Sequence, residues 1–297
     1  MPELPEVETI RRDLEKALGG RRLLSLEILA AKSAPQSAVF LKRHLLEKRL
    51  LAILRRGKLL ILSFEGEAYL LIHLKMTGQL IFLSGDSRVA GGHSLGSKKS
   101  RAADSWLTAV GGDLPNKHTR AVLLFEGGGR LYFNDLRRFG YLKYSDKKDL
   151  DRLIAANYGP EPLTPSFSFS AFSRIFSGNR QIKPLLLDQK KIAGLGNIYV
   201  DETLFASGIR PDRRADSLEE KEKRSLYQAI NRIIKKAVEE RGTTFSDYVD
   251  ASGRRGGYSR LLKVYGRGGE ACLKCGRKLE KTKISGRGTH FCPYCQK

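Results

Sequence analysis

The run LLAILRRGKLLILSFEGEAYLLIHLKMTGQLIFL, residues 50–83, decides the first half of the fold. Its apolar segments 50–54, 59–64, 69–74 and 80–83 are the length of strands, and glycine-bearing turns separate them. Working outward, segment 23–29 precedes them and segments 121–125 and 130–133 follow. The last two flank Glu126-Gly127-Gly128-Gly129, a hairpin-like turn. Many short strands joined by glycine turns over about 21–145 predict an antiparallel sandwich or barrel. Ahead of it, residues 5–18 read as a helix. Pro5 sits near its first position, acidic residues fill the first turn and Gly19-Gly20 follows its end. Val7, Ile10, Leu14 and Leu18 give that helix one apolar stripe.

Residues 84–117, rich in Gly, Ser and Lys, lack periodicity and read as a mobile basic loop inserted between strands. Trp106 and Leu107 leave open a partly ordered connection that packs on the sandwich. Past Asp146 the pattern turns helical, at 166–176, 197–207 and 218–241. The last carries Leu226, Ile230, Ile233, Ile234 and Ala237 on one face and stops at Gly242. The Gly- and Arg-rich segment 243–259 reads as flexible. This is an α+β multidomain organisation, divided into 1–145, 146–265 and 266–297, with no internal repeat.

The 297 residues carry a net charge of +22, and 41% of them are hydrophobic, enough for a core in each of two ordinary domains. So basic a chain points to polyanionic partners, because neutralising phosphates releases counterions. No apolar run reaches membrane-spanning length and no export signal opens the chain, so a membrane partner is not expected. All four cysteines fall in the last 26 residues, a placement that suits a reducing cytoplasm and metal binding rather than disulfides. Cys272-x-x-Cys275 and Cys292-x-x-Cys295 put two sulfurs on each of two tight turns, the pattern of one structural zinc ion. So short a segment cannot build its own core, so the metal is expected to hold it folded. Lys281, Lys283 and Arg287 on it suit phosphate contact.

The first residues carry chemistry of another kind. Removal of Met1 before a small residue would leave Pro2 with a secondary α-amine. A terminal amine titrates near 7.7–8.0, well below lysine at about 10.4, so much more of it is free base at neutral pH. Attack by a secondary amine on a sugar C1′ gives an iminium that is charged without needing a proton, an electron sink for eliminating the 3′-phosphate. Glu3 beside it is placed to shuttle protons.

The opening Pro2-Glu3-Leu4-Pro5-Glu6-Val7-Glu8, Arg55-Arg56-Gly57-Lys58, His73-Leu74-Lys75-Met76-Thr77-Gly78, Asp135-Leu136-Arg137-Arg138-Phe139-Gly140, Gly194-Leu195-Gly196-Asn197-Ile198-Tyr199 and Gly286-Arg287-Gly288-Thr289-His290-Phe291-Cys292 together resemble the formamidopyrimidine-DNA glycosylases, also called 8-oxoguanine DNA glycosylases. The matches span the chain in the family's order. The resemblance implies an N-terminal β-sandwich, a helix–two-turn–helix domain, a C-terminal zinc finger and double-stranded DNA carrying oxidised bases, bound between the two halves. It implies Pro2 as Schiff-base nucleophile, Glu3 as acid/base, Lys58 assisting β-elimination and Arg287 holding phosphate and assisting δ-elimination. It places His73, His118, Arg137, Lys183 and Asn197 at DNA-contacting positions. Met76, Arg137 and Phe139 would fill the gap left by an everted base, where unstacking costs a few kcal/mol. Asn197 has its own logic, since Gly194-x-Gly196-Asn197 precedes a helix whose free N–H groups suit an anion.

Three departures from the family pattern stand out. The 84–117 stretch is long, the segment Ser177-Gly178-Asn179-Arg180 has lost a lysine-rich run, and Lys117-His118-Thr119-Arg120 replaces the usual Lys-His-Asp-His. The expected activity is a bifunctional glycosylase/lyase of base excision repair acting on oxidised purines, as a monomer in the nucleoid-bearing cytoplasm. Two alternatives stay open: an endonuclease VIII-like enzyme for oxidised pyrimidines, and a zinc-finger DNA-binding protein without chemistry.

Overall fold

Helix α1 (Leu4–Leu18) opens the chain with Glu3 as its N-cap, and Glu6 Oε2 accepts the Glu3 N–H at 2.9 Å. Its stripe of Val7, Ile10, Leu14 and Leu18 is buried. This is a computed structural model, and it describes residues 1–85, 87–93, 105–243 and 256–297. Strand β1 (Leu23–Ile28) and helix α2 (Ala38–Leu45) follow. The run that opened the sequence reading becomes β2 (Leu50–Arg56), β3 (Leu59–Phe64), β4 (Ala68–His73) and β5 (Gly78–Ser84). Then come β6 (Ser87–Gly92), α3 (Ser105–Val110), β7 (Thr119–Phe125), β8 (Arg130–Asp135) and β9 (Tyr141–Asp146).

Every strand pair among these is antiparallel, in one sheet of order β1-β7-β8-β5-β6 and another of order β2-β3-β4-β9. Leu26, Phe82, Phe125 and Phe133 of the first share a core with Leu60, Leu62, Leu70 and Ile72 of the second. Two sheets packed face to face make a sandwich, which decides between the two expected architectures.

Residues 84–117 do not behave as one mobile loop. Strand β6 pairs with β5 from Ser84↔Ser87 to Gln79↔Gly92 and forms the edge of its sheet, and 105–110 are helical. Val110 packs with Ile81, Ala90 and Tyr132, so this end of the stretch lies on the sandwich. The strand escaped notice because glycine disfavours strands, yet here only glycine fits. A Cβ on Gly91 would stand 2.4 Å from Cγ1 of Ile10, so the bare backbone lets α1 lie against the sheet. Residues 94–104 lie outside the described residues, as do 244–255, which hold most of the segment expected to be flexible.

Helix α4 (Lys147–Asn157) continues the chain into α5 (Phe169–Ser173), α6 (Ile182–Leu187), α7 (Asn197–Ser207) and α8 (Glu220–Glu239). A β-hairpin, β10 (Glu280–Ile284) and β11 (Arg287–Phe291), closes it. The chain divides into two compact units: Met1–Ile154 with Glu240–Ser259, and Ala155–Glu239 with Arg260–Lys297. In the second, α8 buries the expected face of Leu226, Ile230, Ile233, Ile234 and Ala237. Phe205 of α7 packs with Val264, Cys272, Leu279 and Cys292, giving the small cysteine-bearing segment its apolar floor. Among the described residues no helix is long and apolar enough to cross a membrane.

Candidate active site and zinc centre

In the first unit, motifs far apart in sequence meet at one end of the sandwich. Helix α1 runs antiparallel to β2: Glu15 accepts the Ile53 N–H, Arg11 Nη1 donates to Ile53 O at 3.2 Å, and Glu8 pairs with Arg55 at 3.0 Å. Its start, with buried Pro2 and Glu3, therefore points toward the Arg55–Lys58 turn. Burial raises the proton affinity of Glu8, but hydrogen bonds from Arg11 and Arg55 more than offset it and hold its pKa at about 2. The clamp between helix and turn thus stays ionised at neutral and mildly acidic pH.

Gly57 takes a φ of 56°, which lets β2 turn into β3, and Lys58 follows it, 6% exposed. The next residue, Leu59, is the register partner of His73 on β4, and His73 in turn pairs with Tyr141 on β9. Burial first, then the charges of Lys75 and Lys58, push the His73 pKa down to about 3. Its Nδ1 accepts the Lys75 N–H at 3.0 Å. His73 is therefore a neutral imidazole with its proton on Nε2, a hydrogen-bond donor that does not add to the local positive charge.

The β4–β5 and β8–β9 turns sit side by side, because Gly78 and Asp135 are register partners. Asp135 is fully buried and holds both turns. Oδ1 accepts from the Thr77 hydroxyl and, at 3.2 Å, from Arg137 N–H, while Oδ2 accepts Gly140 N–H at 2.7 Å. Above this anchor Arg137 Nη1 reaches Met76 Sδ at 3.1 Å, and its guanidinium lies 4.8 Å over the Phe139 ring. Met76 is 45% and Phe139 54% exposed, so neither is a core residue. The sequence motif contained Asp135, but nothing in it distinguished the anchor from the tips. Asp135→Ala is expected to lower stability by about 3 kcal/mol by stranding the Thr77 hydroxyl and Gly140 N–H, while Arg137 N–H keeps Thr77 Oγ1 at 2.9 Å. Urea unfolding reads that loss, and a midpoint like that of the parent chain would disprove the anchor.

His118 is half-buried, its backbone N–H bonded to Asn116 Oδ1 and its carbonyl accepting Asp135 N–H. Its altered neighbours take up support: Thr119 Oγ1 accepts Asn116 N–H at 2.9 Å, and Arg120 Nε donates to Asp135 O at 2.8 Å. Glu6, which no reading of the sequence singled out, is 3% exposed, and its Oε1 accepts both the N–H and the hydroxyl of Thr243. The first turn of α1 is thereby tied to Thr243.

In the second unit the four cysteine sulfurs all lie within 4.8 Å of one another, with Cys272–Cys295 at 4.0 Å and Cys275–Cys292 at 3.6 Å. A tetrahedral zinc with bonds of about 2.3 Å needs sulfurs about 3.8 Å apart, so four thiols here fit that ion. Lys274 N–H points at Cys272 Sγ, the kind of donor that supports a metal-bound thiolate. Arg287 stands exposed at the start of β11. Asn197 opens α7 after Gly196, as expected, and its Nδ2 donates to Gly288 O at 2.8 Å.

Lys183 requires a correction. Expected at a DNA-contacting position, it has 0% exposure, and its ammonium donates to Asp201 Oδ1, Thr289 Oγ1 and Gly288 O at 2.6, 2.9 and 3.0 Å. With three donors used within the protein, it has none to offer a phosphate. Nothing in the local sequence marks it as buried, because its partners lie 18 and about a hundred residues away. Neighbouring Glu202 accepts the N–H groups of Lys263, Val264 and Tyr265, tying the entrance of the finger to α7. At Arg180, the charge kept from the family's basic run is paired with Asp188 at 3.0 Å.

The chain matches the family model of the formamidopyrimidine-DNA glycosylase N-terminal domain over residues 1–142, that of the H2TH domain over 158–249 and that of the zinc finger found in FPG and IleRS over 269–297. It is 40% identical over 300 residues to the formamidopyrimidine-DNA glycosylase of Heliobacterium modesticaldum, covering 100% of both. It belongs to the formamidopyrimidine-DNA glycosylase family. The relative from Moorella thermoacetica is 41% identical, with 95% of each chain covered. Among solved structures, Lactococcus lactis Fpg bound to an abasic-site DNA superposes with a TM-score of 0.83 at 33% identity, covering 99% of both chains. The same enzyme with an N7-benzyl-Fapy-dG DNA gives 0.84 at 34%, again over 99% of both. As a member of the formamidopyrimidine-DNA glycosylase family the chain is a DNA-repair glycosylase for oxidised purines, with one structural zinc in its four-cysteine finger.

Proposed function

We propose that this chain removes oxidised purines from duplex DNA with the amine of Pro2 and then cleaves the strand by β,δ-elimination. The observation that carries the reading is the gathering of the opening helix, the Lys58 turn, His73 and the Met76–Arg137–Phe139 tips at one end of the sandwich. With Met1 removed, the Pro2 nitrogen attacks C1′ of the damaged nucleotide and the glycosidic bond breaks, so the base leaves with its bonding pair. Glu3 takes the proton that the amine loses and delivers it to O4′ as the C1′–O4′ bond breaks, so the nitrogen lone pair closes the C=N bond of the iminium. Loss of a C2′ proton then feeds electrons into the iminium and expels the 3′-phosphate, with the buried Lys58 ammonium stabilising charge at that phosphate. Arg287 serves the second phosphate departure, and Asn197 and His118 grip the backbone.

Neutral His73 donates a hydrogen bond to a phosphate through Nε2. Met76, Arg137 and Phe139 enter the stack as the lesion leaves it, stiffened by the Asp135 anchor. The zinc, held by Cys272, Cys275, Cys292 and Cys295, supplies fold and no chemistry, since all four positions are protein sulfurs. The three parts of the chain, 1–145, 146–265 and 266–297, divide this work into chemistry, backbone grip and finger. The enzyme acts as a monomer in the cytoplasm, on nucleoid DNA.

A lesion panel tests the substrate class. Duplexes bearing 8-oxoguanine or a formamidopyrimidine opposite cytosine are expected to be cut at least about tenfold faster, in kcat/KM, than one bearing an oxidised pyrimidine. The reverse order would assign the chain to the endonuclease VIII branch.

A further inference from the structure

Lys183 and Asp201 form an ion pair with neither side chain exposed, at 2.6 Å, between α6 and α7. A buried pair of this kind is costly to form and more costly to halve, because either partner left alone is an uncompensated charge in a dry interior. Its hydrogen bonds show where that rigidity goes. The ammonium also holds Thr289 Oγ1 and Gly288 O on β11, and Thr289 Oγ1 donates onward to Arg287 O at 3.0 Å. The other oxygen of Asp201 accepts His290 N–H at 2.9 Å. The Gly288 carbonyl that takes the ammonium also takes Asn197 Nδ2. Residues 287–290 are therefore fastened, one after another, to a single pair of opposite charges, and Asn197 is fastened to the same strand.

We infer that the Lys183–Asp201 pair is a positioning strut that sets the Arg287 backbone and the Asn197 helix start in one fixed geometry for adjacent phosphates. Lys183 serves DNA through these residues without touching it. A flexible finger hairpin would pay conformational entropy each time Arg287 met its phosphate, and the strut removes that cost beforehand. This inference rests on the proposed phosphate roles of Arg287 and Asn197.

The test uses the full zinc-loaded chain, with zinc content measured for each variant, and a duplex carrying one 8-oxoguanine. Lys183→Met is expected to leave base excision within about threefold of the parent chain in single turnover, while the ratio of δ- to β-elimination product falls about tenfold. The double variant Lys183→Met with Asp201→Leu, which leaves no lone charge behind, is expected to bind a duplex containing a tetrahydrofuran abasic analogue at least about fivefold more tightly than Lys183→Met alone. A lysine that touched phosphate directly would be missed equally in both, so equal Kd values overturn the strut. So does an excision loss as large as the loss in product ratio, since that marks general damage.

Arg287→Ala separates the two readings. If it leaves the product ratio unchanged, the role given to Arg287 fails by itself. The strut is then judged on Asn197: non-additive losses of affinity in Lys183→Met and Asn197→Ala uphold it, and additive losses refute it.

Discussion

Pro2→Gly is expected to lower 8-oxoguanine excision at least about a hundredfold while changing the Kd for an abasic-analogue duplex by less than about twofold. A proline iminium nitrogen makes all its bonds to carbon and carries no proton, so its positive charge does not depend on protonation. A glycine imine is an electron sink only while protonated, and water competes to remove it. Glycine also releases the backbone just before the Glu3 cap, so the amine samples many directions where proline offers one. Grip on the DNA should survive, because the phosphate-binding residues proposed above lie elsewhere. Borohydride trapping on the 8-oxoguanine duplex reads the first effect directly, with an adduct expected from the parent chain and almost none from the variant. Equal adduct yield and unchanged excision would mean that another amine does the chemistry.

Cys292→Ala is expected to release the zinc and weaken binding of the same duplex by about a hundredfold or more. Cys292 is fully buried, and its sulfur lies 3.6 Å from that of Cys275. Zinc affinity in such shells is worth about 10–16 kcal/mol of apparent folding free energy, far more than the hydrogen bonds that tie residues 287–290 to Lys183, Asp201 and Asn197 can supply. The finger's apolar floor is a handful of residues around Phe205. The loss should appear as a lower slope of log Kd against log salt, by about 0.9 for each phosphate contact that disappears. Zinc-free protein that binds as tightly as the parent would show that the finger is not part of the grip.

Legibility differed sharply from element to element. The strands of residues 50–83 were readable because apolar runs broken by glycine turns have few other solutions, and α8 because its stripe repeats over about three turns, from Leu226 to Ala237. The sandwich was not separable from a barrel in the sequence, since that choice depends on which strands close an edge. Strand β6 was hidden by Gly91, whose value lies in how near α1 comes, and by Gly92, where a Cβ would strike the backbone of Gly78, and both are tertiary facts with no local trace. The cysteines pointed to the metal centre, yet the division of labour within the family motifs was opaque. Lys183 reads as a surface cation until Asp201 and Thr289 are placed around it, and Asp135 reads as one more acid beside two arginines until the turn closes on it. Long-range burial and hydrogen bonding settle such roles, and neither has a fixed spacing.

The carboxylates of this chain are disposed unevenly. Among the described residues Glu3, Glu6, Asp135, Glu161, Asp201 and Glu202 are buried, several of them holding backbone N–H groups, whereas the buried cations are Lys58, Arg120 and Lys183. Among the described residues twice as many acids as bases are thus withdrawn into the scaffold, which leaves the charge they show to solvent more positive than their formal sum. Undamaged duplex then becomes the main competitor for the molecule: a long, weakly held track along which it slides and hops, at a speed governed by salt. The same inward acids that brace the chemistry leave outside the charge that drives the search.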